Sequence, residues 1–370
     1  MAWRERVLQT IGPGILAGVT FGDWVRLLRE NRFAIDPPYW LRAQAITTQS
    51  LVNAAVRRHE ERTYLPHLMA VDVPPPLFIL GHWRSGTTHL HQLLAADRSF
   101  ASPNVYQTSC PHTFLTTESR STRFVGAMLP PTRPMDNVRQ APDSPTEDEF
   151  AVCAMTFLSP YVGWIFPRRA EHYDRYMTFR GVPEREVGEW KQAFVLFLKK
   201  LTWKYGKPLL LKSPPHTCRI RLLLGLFPEA RFVHIHRDPF TVYQSTRHTF
   251  SRVLRITRLQ GGSGYDDEGS VLRRYREMYA VFFEERGLIP EGRYCEIGFE
   301  SLESDPIGTM RGIYEALSLP DFRCAEADLK AYTATISGYR KNSFPELTPE
   351  LRGRIAVEWR RCFDEWGYPA

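Results

Sequence analysis

The chain has 370 residues, of which 43% are hydrophobic and 13% aromatic, so it has enough apolar side chains to bury a sizeable core. This composition excludes a disordered, collagen-like or disulfide-scaffold protein. The 48 basic and 41 acidic residues leave a net charge of +7 without a block of like charge, which suits an anionic ligand and gives no indication of nucleic-acid binding. The six cysteines are scattered singly, so we expect reduced thiols, no zinc site and a cytoplasmic location.

The N-terminal region mixes basic and apolar residues. Its apolar run at 11–21 is too short to cross a bilayer, which takes roughly 20 residues. Trp24 and Leu27, with Arg26 and Arg29 beside them, form an amphipathic pattern. Two interpretations stay open, namely a helix packed on the core and a helix that lies in a membrane interface.

Short apolar runs followed by turns and helical patterns predict the buried strands of a parallel sheet. These runs are 77–80, 208–212, 231–236 and 293–297. Alternation of such strands with helices indicates an α/β fold, in which a parallel β-sheet has flanking helices and helical insertions. We predict one α/β domain over residues 71–370, preceded by an N-terminal helical extension over residues 1–70.

The strongest motif is the sequence GHWRSGTT at 81–88, directly after the first apolar run and at the start of a helical pattern. In this position, backbone N–H groups and a helix N-terminus form a site for an anion. The motif has the glycine spacing of a Walker A loop, but Thr87 stands where that loop has its lysine, and the cation of this motif is Arg84.

A second anion site is indicated where the run at 231–236 ends. Arg237 follows the run and Ser245 lies two turns into the next helical pattern, so both side chains can reach one phosphate at the carboxyl edge of the sheet. Two other interpretations stay open here. Asp238 and Pro239 fit a helix start, and Asp238 would be the metal-binding acid of a P-loop phosphotransferase.

Together these segments resemble the sulfotransferase superfamily that uses 3′-phosphoadenosine 5′-phosphosulfate (PAPS), in particular its bacterial members. The resemblance implies a P-loop NTPase-like three-layer sandwich, a PAPS co-substrate, no metal, and transfer of the sulfuryl group to a hydroxyl by in-line displacement. It assigns the 5′-phosphosulfate to Arg84, Ser85, Gly86, Thr87 and Thr88, and the 3′-phosphate to Arg237 and Ser245.

The resemblance also implies roles for residues outside the two anion sites. Lys212, before Ser213 and Pro214, matches the catalytic lysine of the superfamily. Phe299 stands where the superfamily usually has a tyrosine near the adenine. The basic pair Arg340 and Lys341 matches a loop that covers the 3′-phosphate, although a plain solvated turn fits the same residues. Arg84 and Lys212 are therefore the candidates for stabilising the leaving oxygen.

Three residues are candidates for the general base that removes the proton of the acceptor hydroxyl. Glu147 and Glu149 open an apolar helical pattern, where crowded carboxylates raise one another's pKa. The same stretch also fits a capping box that starts at Ser144. His216, four residues after Lys212, is the third candidate, because eukaryotic cytosolic members of the superfamily use a histidine shortly after that lysine.

The sequence leaves the acceptor open among a lipid, a glycan and a small metabolite. Aromatic residues between positions 157 and 173 fit either an apolar acceptor pocket or the core. Peripheral membrane contact through the N-terminal helix is the corresponding expectation for a lipid acceptor. The alternatives to a sulfotransferase are a P-loop phosphotransferase and a non-catalytic nucleotide-binding protein on the same fold.

Overall fold

The protein was analysed as a computed structural model. It describes residues 14–128, 140–262, 267–320, 322–336 and 344–370, together with residues 12, 132, 133, 138, 265 and 342. The predicted pair Arg340 and Lys341 lies outside these described residues.

Four parallel strands form one sheet in the order β2-β1-β3-β4. The strands are β1 (Leu77–Leu80), β2 (Leu210–Lys212), β3 (Arg231–His236) and β4 (Tyr294–Gly298). All residues of β1 and β2 are buried, as their uninterrupted apolar runs predict. The predicted α/β fold with a parallel sheet is therefore confirmed, and the carboxyl ends of all four strands lie at one edge.

Helices connect and flank these strands. In chain order they are α1 (Phe21–Glu30), α2 (Trp40–Met69), α3 (Thr87–Ala96), α4 (Val105–Ser109), α5 (Phe114–Met128), α6 (Glu149–Thr156), α7 (Val162–Ile165), α8 (Ala170–Thr178), α9 (Glu184–Tyr205), α10 (Ile220–Leu226), α11 (Pro239–Thr257), α12 (Glu268–Glu285), α13 (Phe299–Ser304), α14 (Pro306–Ala316), α15 (Phe322–Ile336), α16 (Pro349–Glu358) and α17 (Arg360–Trp366). Short 3₁₀ turns occur at Gly14–Leu16, Pro37–Tyr39, Pro167–Arg169, Pro214–Cys218 and Arg286–Leu288.

The chain divides into two compact units. The first comprises the described residues of Met1–Val73, Pro103–Gly206 and Thr249–Asp266, and the second those of Pro74–Ser102, Lys207–His248 and Asp267–Ala370. The second unit contains the whole sheet. The division into an extension over residues 1–70 and an α/β domain over residues 71–370 stays a prediction.

Each face of the sheet in the second unit has its own apolar layer. One layer joins Ile79 and Val233 to the inner side of α3. The other places Phe78 against Phe232, with ring centroids 5.5 Å apart. Neighbouring residues of a strand point to opposite faces of the sheet, whereas residues paired across two strands point to the same face. The strand pairing therefore shows which face the last residue of each strand belongs to.

The first unit is helical, and it buries part of the N-terminal amphipathic pattern. Trp24 and Leu27 of α1 are 1% and 0% exposed, and the Trp24 indole donates a hydrogen bond to Thr47 on α2. Of the two interpretations of this segment, the helix packed on the core is the one observed. Within the described part of the chain, no helix is both long and apolar enough to cross a membrane.

Candidate functional site

The loop between β1 and α3 is shaped by two glycines. Gly81 has φ of +144°, and a Cβ there would lie 2.5 Å from the carbonyl oxygen of Ile235 on β3. Gly86, the residue before α3, has φ of +101°. Both conformations are open to glycine and strained for other residues, so the two glycines of the motif are required by the backbone. The predicted strand, loop and helix are confirmed.

Hydrogen bonds within the second unit hold the loop at both ends. The amide of Gly81 donates to the hydroxyl of Thr217 over 2.7 Å. The Ser85 hydroxyl donates to the carbonyl of His82 over 2.7 Å, and the His82 amide donates to the Tyr279 hydroxyl over 3.3 Å. Thr217 and Tyr279 were not found from the sequence, because they lie far along the chain and belong to no motif.

His82 is neutral at physiological pH. Burial lowers its pKa to about 3, against the opposing effect of its contact with the Trp83 carbonyl. The ring is 1% exposed and packs against Tyr275, with centroids 4.8 Å apart. His82 therefore supports the loop without adding charge to it.

The two predicted anion sites meet at Arg84. Its Nε donates to the Ser245 Oγ over 2.9 Å, and Arg237 Nη1 donates to the Arg84 carbonyl over 3.4 Å. Arg84 has φ of +73°, a left-handed conformation that is uncommon outside glycine. Three residues chosen from two separate motifs thus lie in direct contact, which creates a strongly positive region with a hydroxyl group in it.

The Phe299 ring links this region to the loop. The Arg237 guanidinium lies over the ring, 4.1 Å from its centroid, which is the geometry of a cation–π contact. A Cβ on Gly86 would lie 2.3 Å from Phe299 Cδ2, so the ring packs directly on the loop backbone. Burial lowers the pKa of Arg237, while Glu300 opposes this effect.

Asp238 caps the helix that follows Arg237. Its carboxylate accepts hydrogen bonds from the Thr241 amide over 2.8 Å and from the Thr241 hydroxyl over 2.5 Å. These are the contacts of an N-cap residue at the start of α11. The helix-start interpretation of Asp238 therefore agrees with the structure.

Lys212 and His216 lie on opposite faces of the sheet. Lys212 ends β2 opposite Ile79, so it shares the face of α3, and it is 1% exposed. His216 lies in the 3₁₀ turn Pro214–Cys218, with its ring edge-on to Phe78 and 5.4 Å away by centroids. Phe78 points to the other face from Ile79. The three residues that separate the two candidates therefore carry the chain across the end of the sheet.

The two candidate carboxylates lie in the first unit and have different surroundings. Glu149 is fully buried and accepts a hydrogen bond from Ser159 over 2.7 Å. Glu147 is half-buried and accepts a hydrogen bond from the Tyr161 hydroxyl. The capping box starting at Ser144 is wrong, because α6 begins at Glu149 rather than beside Pro145. The stretch before α6 instead turns back, with the Ser144 hydroxyl accepting a hydrogen bond from the Ala141 amide over 3.0 Å.

The aromatic residues that follow α6 form a buried cluster in the first unit. Tyr161 stacks on Trp164 with centroids 4.0 Å apart, and Trp164 contacts Phe250 and Tyr265. Tyr161 is thus both part of this cluster and the hydrogen-bond donor to Glu147. The cluster fixes the direction of the Tyr161 hydroxyl, which donates to Glu147.

Comparison with known proteins identifies the family. The model of the sulfotransferase family matches residues 75–323, which include the loop, Lys212, Arg237, Ser245 and Phe299. The chain is 37% identical over 369 residues to the omega-hydroxy-beta-dihydromenaquinone-9 sulfotransferase Stf3 of Mycobacterium bovis, covering 99% of this chain and 93% of that protein. The Mycobacterium tuberculosis protein of the same name matches with the same values.

Solved structures of low sequence identity share the fold. The sulfotransferase STF9 from Mycobacterium avium superposes with a TM-score of 0.66 at 20% identity, over 94% of this chain and 97% of that one. The sulfotransferase STF1 from Mycobacterium tuberculosis H37Rv gives a TM-score of 0.57 at 17% identity, over 91% and 92%. The predicted P-loop-like sulfotransferase fold is confirmed.

The chain belongs to the sulfotransferase family. It is a PAPS-dependent sulfotransferase, an enzyme that transfers a sulfuryl group to a hydroxyl acceptor, as the motifs predicted. The phosphotransferase and non-catalytic alternatives are not supported.

Replacing Gly86 with alanine is expected to weaken binding of 3′-phosphoadenosine 5′-phosphate (PAP), the product nucleotide, by roughly tenfold or more. The new Cβ would overlap Phe299, and the positive φ would add strain of about 1–3 kcal/mol. Calorimetric titration with PAP measures the effect. The matched control is Gly312→Ala on α14, where a Cβ meets nothing within 4 Å and PAP affinity should stay unchanged. Normal PAP affinity in the Gly86 variant would show that this contact does not shape the site.

Proposed function

We propose that this sulfotransferase binds PAPS at the loop after β1 and transfers its sulfuryl group to a hydroxyl on a long apolar lipid of the isoprenoid quinone class. The observation that carries the donor site is the direct contact of Arg84 with Ser245 and Arg237, residues drawn from two anion-binding motifs. The observation that carries the acceptor is the name of the relatives at 37% identity, whose substrate is a hydroxylated dihydromenaquinone.

The 5′-phosphosulfate end fits the loop and the start of α3. Gly86 is the residue before the helix, so the amides that follow it point along the helix axis towards an anion. Thr87 and Thr88 add hydroxyls in the first turn, and Arg84 adds charge. Ser85 contributes through the loop backbone, since its hydroxyl is bonded to His82. These residues suit an anion that brings no magnesium ion with it.

The 3′-phosphate fits between Arg237 and Ser245. A guanidinium and a hydroxyl are suitable donors to phosphate oxygens. Phe299, under Arg237, fixes the guanidinium plane, and we place the adenine near this buried ring, as the family resemblance implies. Arg340 and Lys341 complete this proposal as basic side chains that cover the 3′-phosphate.

Sulfuryl transfer from PAPS places negative charge on the departing nucleotide oxygen. We assign the stabilisation of that charge to Arg84 and Lys212. Lys212 ends the strand beside β1, on the face of the sheet that carries α3, and it is almost completely buried. Buried cations act more strongly than exposed ones because the surrounding dielectric is low.

Glu147 is the favoured general base among the three candidates. It is half-buried, unlike Glu149, and the Tyr161 hydroxyl orients it. Glu149 is sealed in the core with Ser159, and His216 packs against Phe78 on the face of the sheet opposite Lys212. The accessible carboxylate is therefore the better proton acceptor.

Contact with a membrane surface is part of the proposal for a lipid acceptor, and it is assigned to α2. Trp40 and Met69 are 61% and 70% exposed, and Leu51 between them is also exposed. At 100° per residue Trp40 and Leu51 lie within about 20° of each other around the helix, and Met69 follows Pro66 near the end of α2. Arg58 lies on the same side as Trp40 and is exposed. Exposed apolar side chains with a cation nearby suit contact with an anionic membrane surface.

Replacing Arg237 with alanine is expected to weaken PAP binding roughly 10- to 100-fold, because a charge-assisted contact to the 3′-phosphate is lost. Titration calorimetry measures this with and without Mg²⁺, beside ATP. Adenosine 5′-phosphosulfate lacks the 3′-phosphate and should bind variant and wild type alike. Arg231→Ala, at the opposite end of β3, is the control. Equal PAP affinity in wild type and the Arg237 variant, or preference for Mg·ATP, would contradict the donor site.

Replacing Glu147 with glutamine is expected to lower kcat by about 10²- to 10⁴-fold, the usual contribution of a general base, with PAP affinity unchanged. The amide oxygen can still accept the Tyr161 hydrogen bond, so the structure should persist. Steady-state rates and PAP titration together measure the effect. The matched variants are Glu149→Gln and His216→Asn. A larger loss of kcat in a folded form of either one would move the role to that residue.

A hydroxylated polyprenyl quinone in anionic vesicles should be sulfated, whereas small polar alcohols should not. Replacing Trp40, Leu51 and Met69 together by serine should reduce co-sedimentation with these vesicles and turnover of the lipid, while PAP affinity stays unchanged. The control is Val357→Ser, a single exposed apolar residue on α16. Unchanged vesicle binding in the triple variant would exclude α2 as the membrane contact. Turnover of small polar alcohols alone would exclude the lipid acceptor.

A further inference from the structure

The residues beyond α17 contact the end of the sheet beside the proposed 3′-phosphate site. Gly367 has φ of +67° and reverses the chain, and the Tyr368 amide then donates to the Phe363 carbonyl over 3.1 Å. The turn brings the Tyr368 hydroxyl within 2.7 Å of Glu300 Oε2 and 3.0 Å of His236 Nδ1. A tyrosine from the last turn of the fold thus reaches the neighbours of Arg237 and Phe299.

The direction of these two hydrogen bonds follows from their chemistry. A carboxylate oxygen accepts, so the Tyr368 hydroxyl donates its one hydrogen to Glu300 and accepts the N–H of His236. Burial lowers the pKa of His236 to about 4, so the ring is neutral and holds a single hydrogen. Burial also raises the pKa of Tyr368, and its bond to Glu300 adds to this, so the hydroxyl stays protonated.

The partner His236 is itself held in place. The Trp366 ring stacks on it with centroids 4.8 Å apart and an interplanar angle of 1°. Gly298 is its registered partner on β4, and a Cβ there would lie 3.4 Å from His236 Cε1 and 3.6 Å from Glu300 Oε2. His236, Tyr368 and Glu300 therefore form a fixed chain of hydrogen bonds across the ends of β3 and β4.

Glu300 is the carboxylate with the strongest electrostatic effect on Arg237, ahead of Glu303 and Asp238. It directly follows Phe299, on whose ring the guanidinium lies. A carboxylate in this position competes with a phosphate for the same guanidinium. The carboxylate is planar and the phosphate tetrahedral, but both are oxyanions that arginine binds through paired N–H groups. The Tyr368 hydroxyl donates to Glu300 Oε2, and without this hydrogen bond the carboxylate would be attracted to Arg237.

We propose that Tyr368 is a positioning residue of the donor site, which holds Glu300 by its hydroxyl so that Arg237 is available to the 3′-phosphate of the nucleotide. The proposal rests on the role of Arg237 in the proposed function. Tyr368 acts through Glu300, to which its hydroxyl is bonded. Loss of its hydroxyl lets the carboxylate turn to Arg237 and compete with the phosphate.

Titration of the full chain with PAP tests this. Tyr368→Phe should weaken PAP binding by up to about fivefold, the effect of a competing ion pair at an exposed carboxylate. Adenosine 5′-phosphosulfate, without a 3′-phosphate, should bind as it does to wild type. Glu300→Gln should bind PAP at least as tightly as wild type, and the double variant Tyr368→Phe with Glu300→Gln should regain wild-type affinity. In steady state, Tyr368→Phe should raise KM for PAPS and leave kcat unchanged.

The matched control is Tyr294→Phe. Tyr294 donates an equivalent hydrogen bond to Glu296 on β4, over 2.8 Å, and its loss should leave PAP affinity unchanged. Normal PAP affinity in Tyr368→Phe overturns the inference. So does a loss of affinity that Glu300→Gln does not rescue, because the hydroxyl would then have a structural role only. Insensitivity of PAP binding to Arg237→Ala overturns the proposed function itself, which separates the two failures.

Discussion

The region where the two arginine-bearing motifs meet depends on one close contact, that between the backbone of Gly86 and the ring of Phe299. The contact is possible because residue 86 has no side chain, and a Cβ would lie 2.3 Å from the ring. With the ring seated on the loop, its other partner is the guanidinium of Arg237, 4.1 Å from the centroid. The ends of β1, β3 and β4 are thereby joined through a single aromatic side chain. The positions of both arginines follow from it, since Arg237 also bonds to the Arg84 carbonyl.

This arrangement keeps two guanidinium groups close together. Like charges repel, and the effect of Arg84 on Arg237 lowers the pKa of Arg237 further, after burial itself. The protein compensates with the π face of Phe299 and with the nearby Glu300, not with a carboxylate in the loop. A concentrated positive charge of this kind has a higher affinity for a dianion than the same arginines dispersed on the surface. Phe299 stands where the superfamily usually has a tyrosine. It can still make the cation–π contact with Arg237, because this contact needs the ring and not a hydroxyl.

The fold and the contact between the two motifs were predictable because their signals are local. An uninterrupted apolar run, a glycine-bearing turn and a helical pattern lie next to each other, so they identify β1, the loop and α3 without knowledge of the rest. Parallel strands then bring the residues after each strand to one edge, which is why Arg84, Arg237 and Ser245 could be grouped from the sequence. Thr217 and Tyr279 could not be predicted from the sequence. Their hydroxyls accept hydrogen bonds from loop amides that lie 136 and 197 residues away along the chain, and neither residue belongs to a motif.

The general base shows where a local argument fails for a physical reason. Lys212 and His216 are four residues apart, which suggests a shared site, yet a strand end followed by a 3₁₀ turn puts them on opposite faces of the sheet. Glu147 and Glu149 are two residues apart and look equivalent, but α6 begins at Glu149 and leaves Glu147 outside the helix. The helix carries Glu149 into the core beside Ser159 and leaves Glu147 half-buried. Spacing along the chain groups side chains correctly only where the element between two residues is known, and here a turn and a helix boundary give the candidate residues different surroundings.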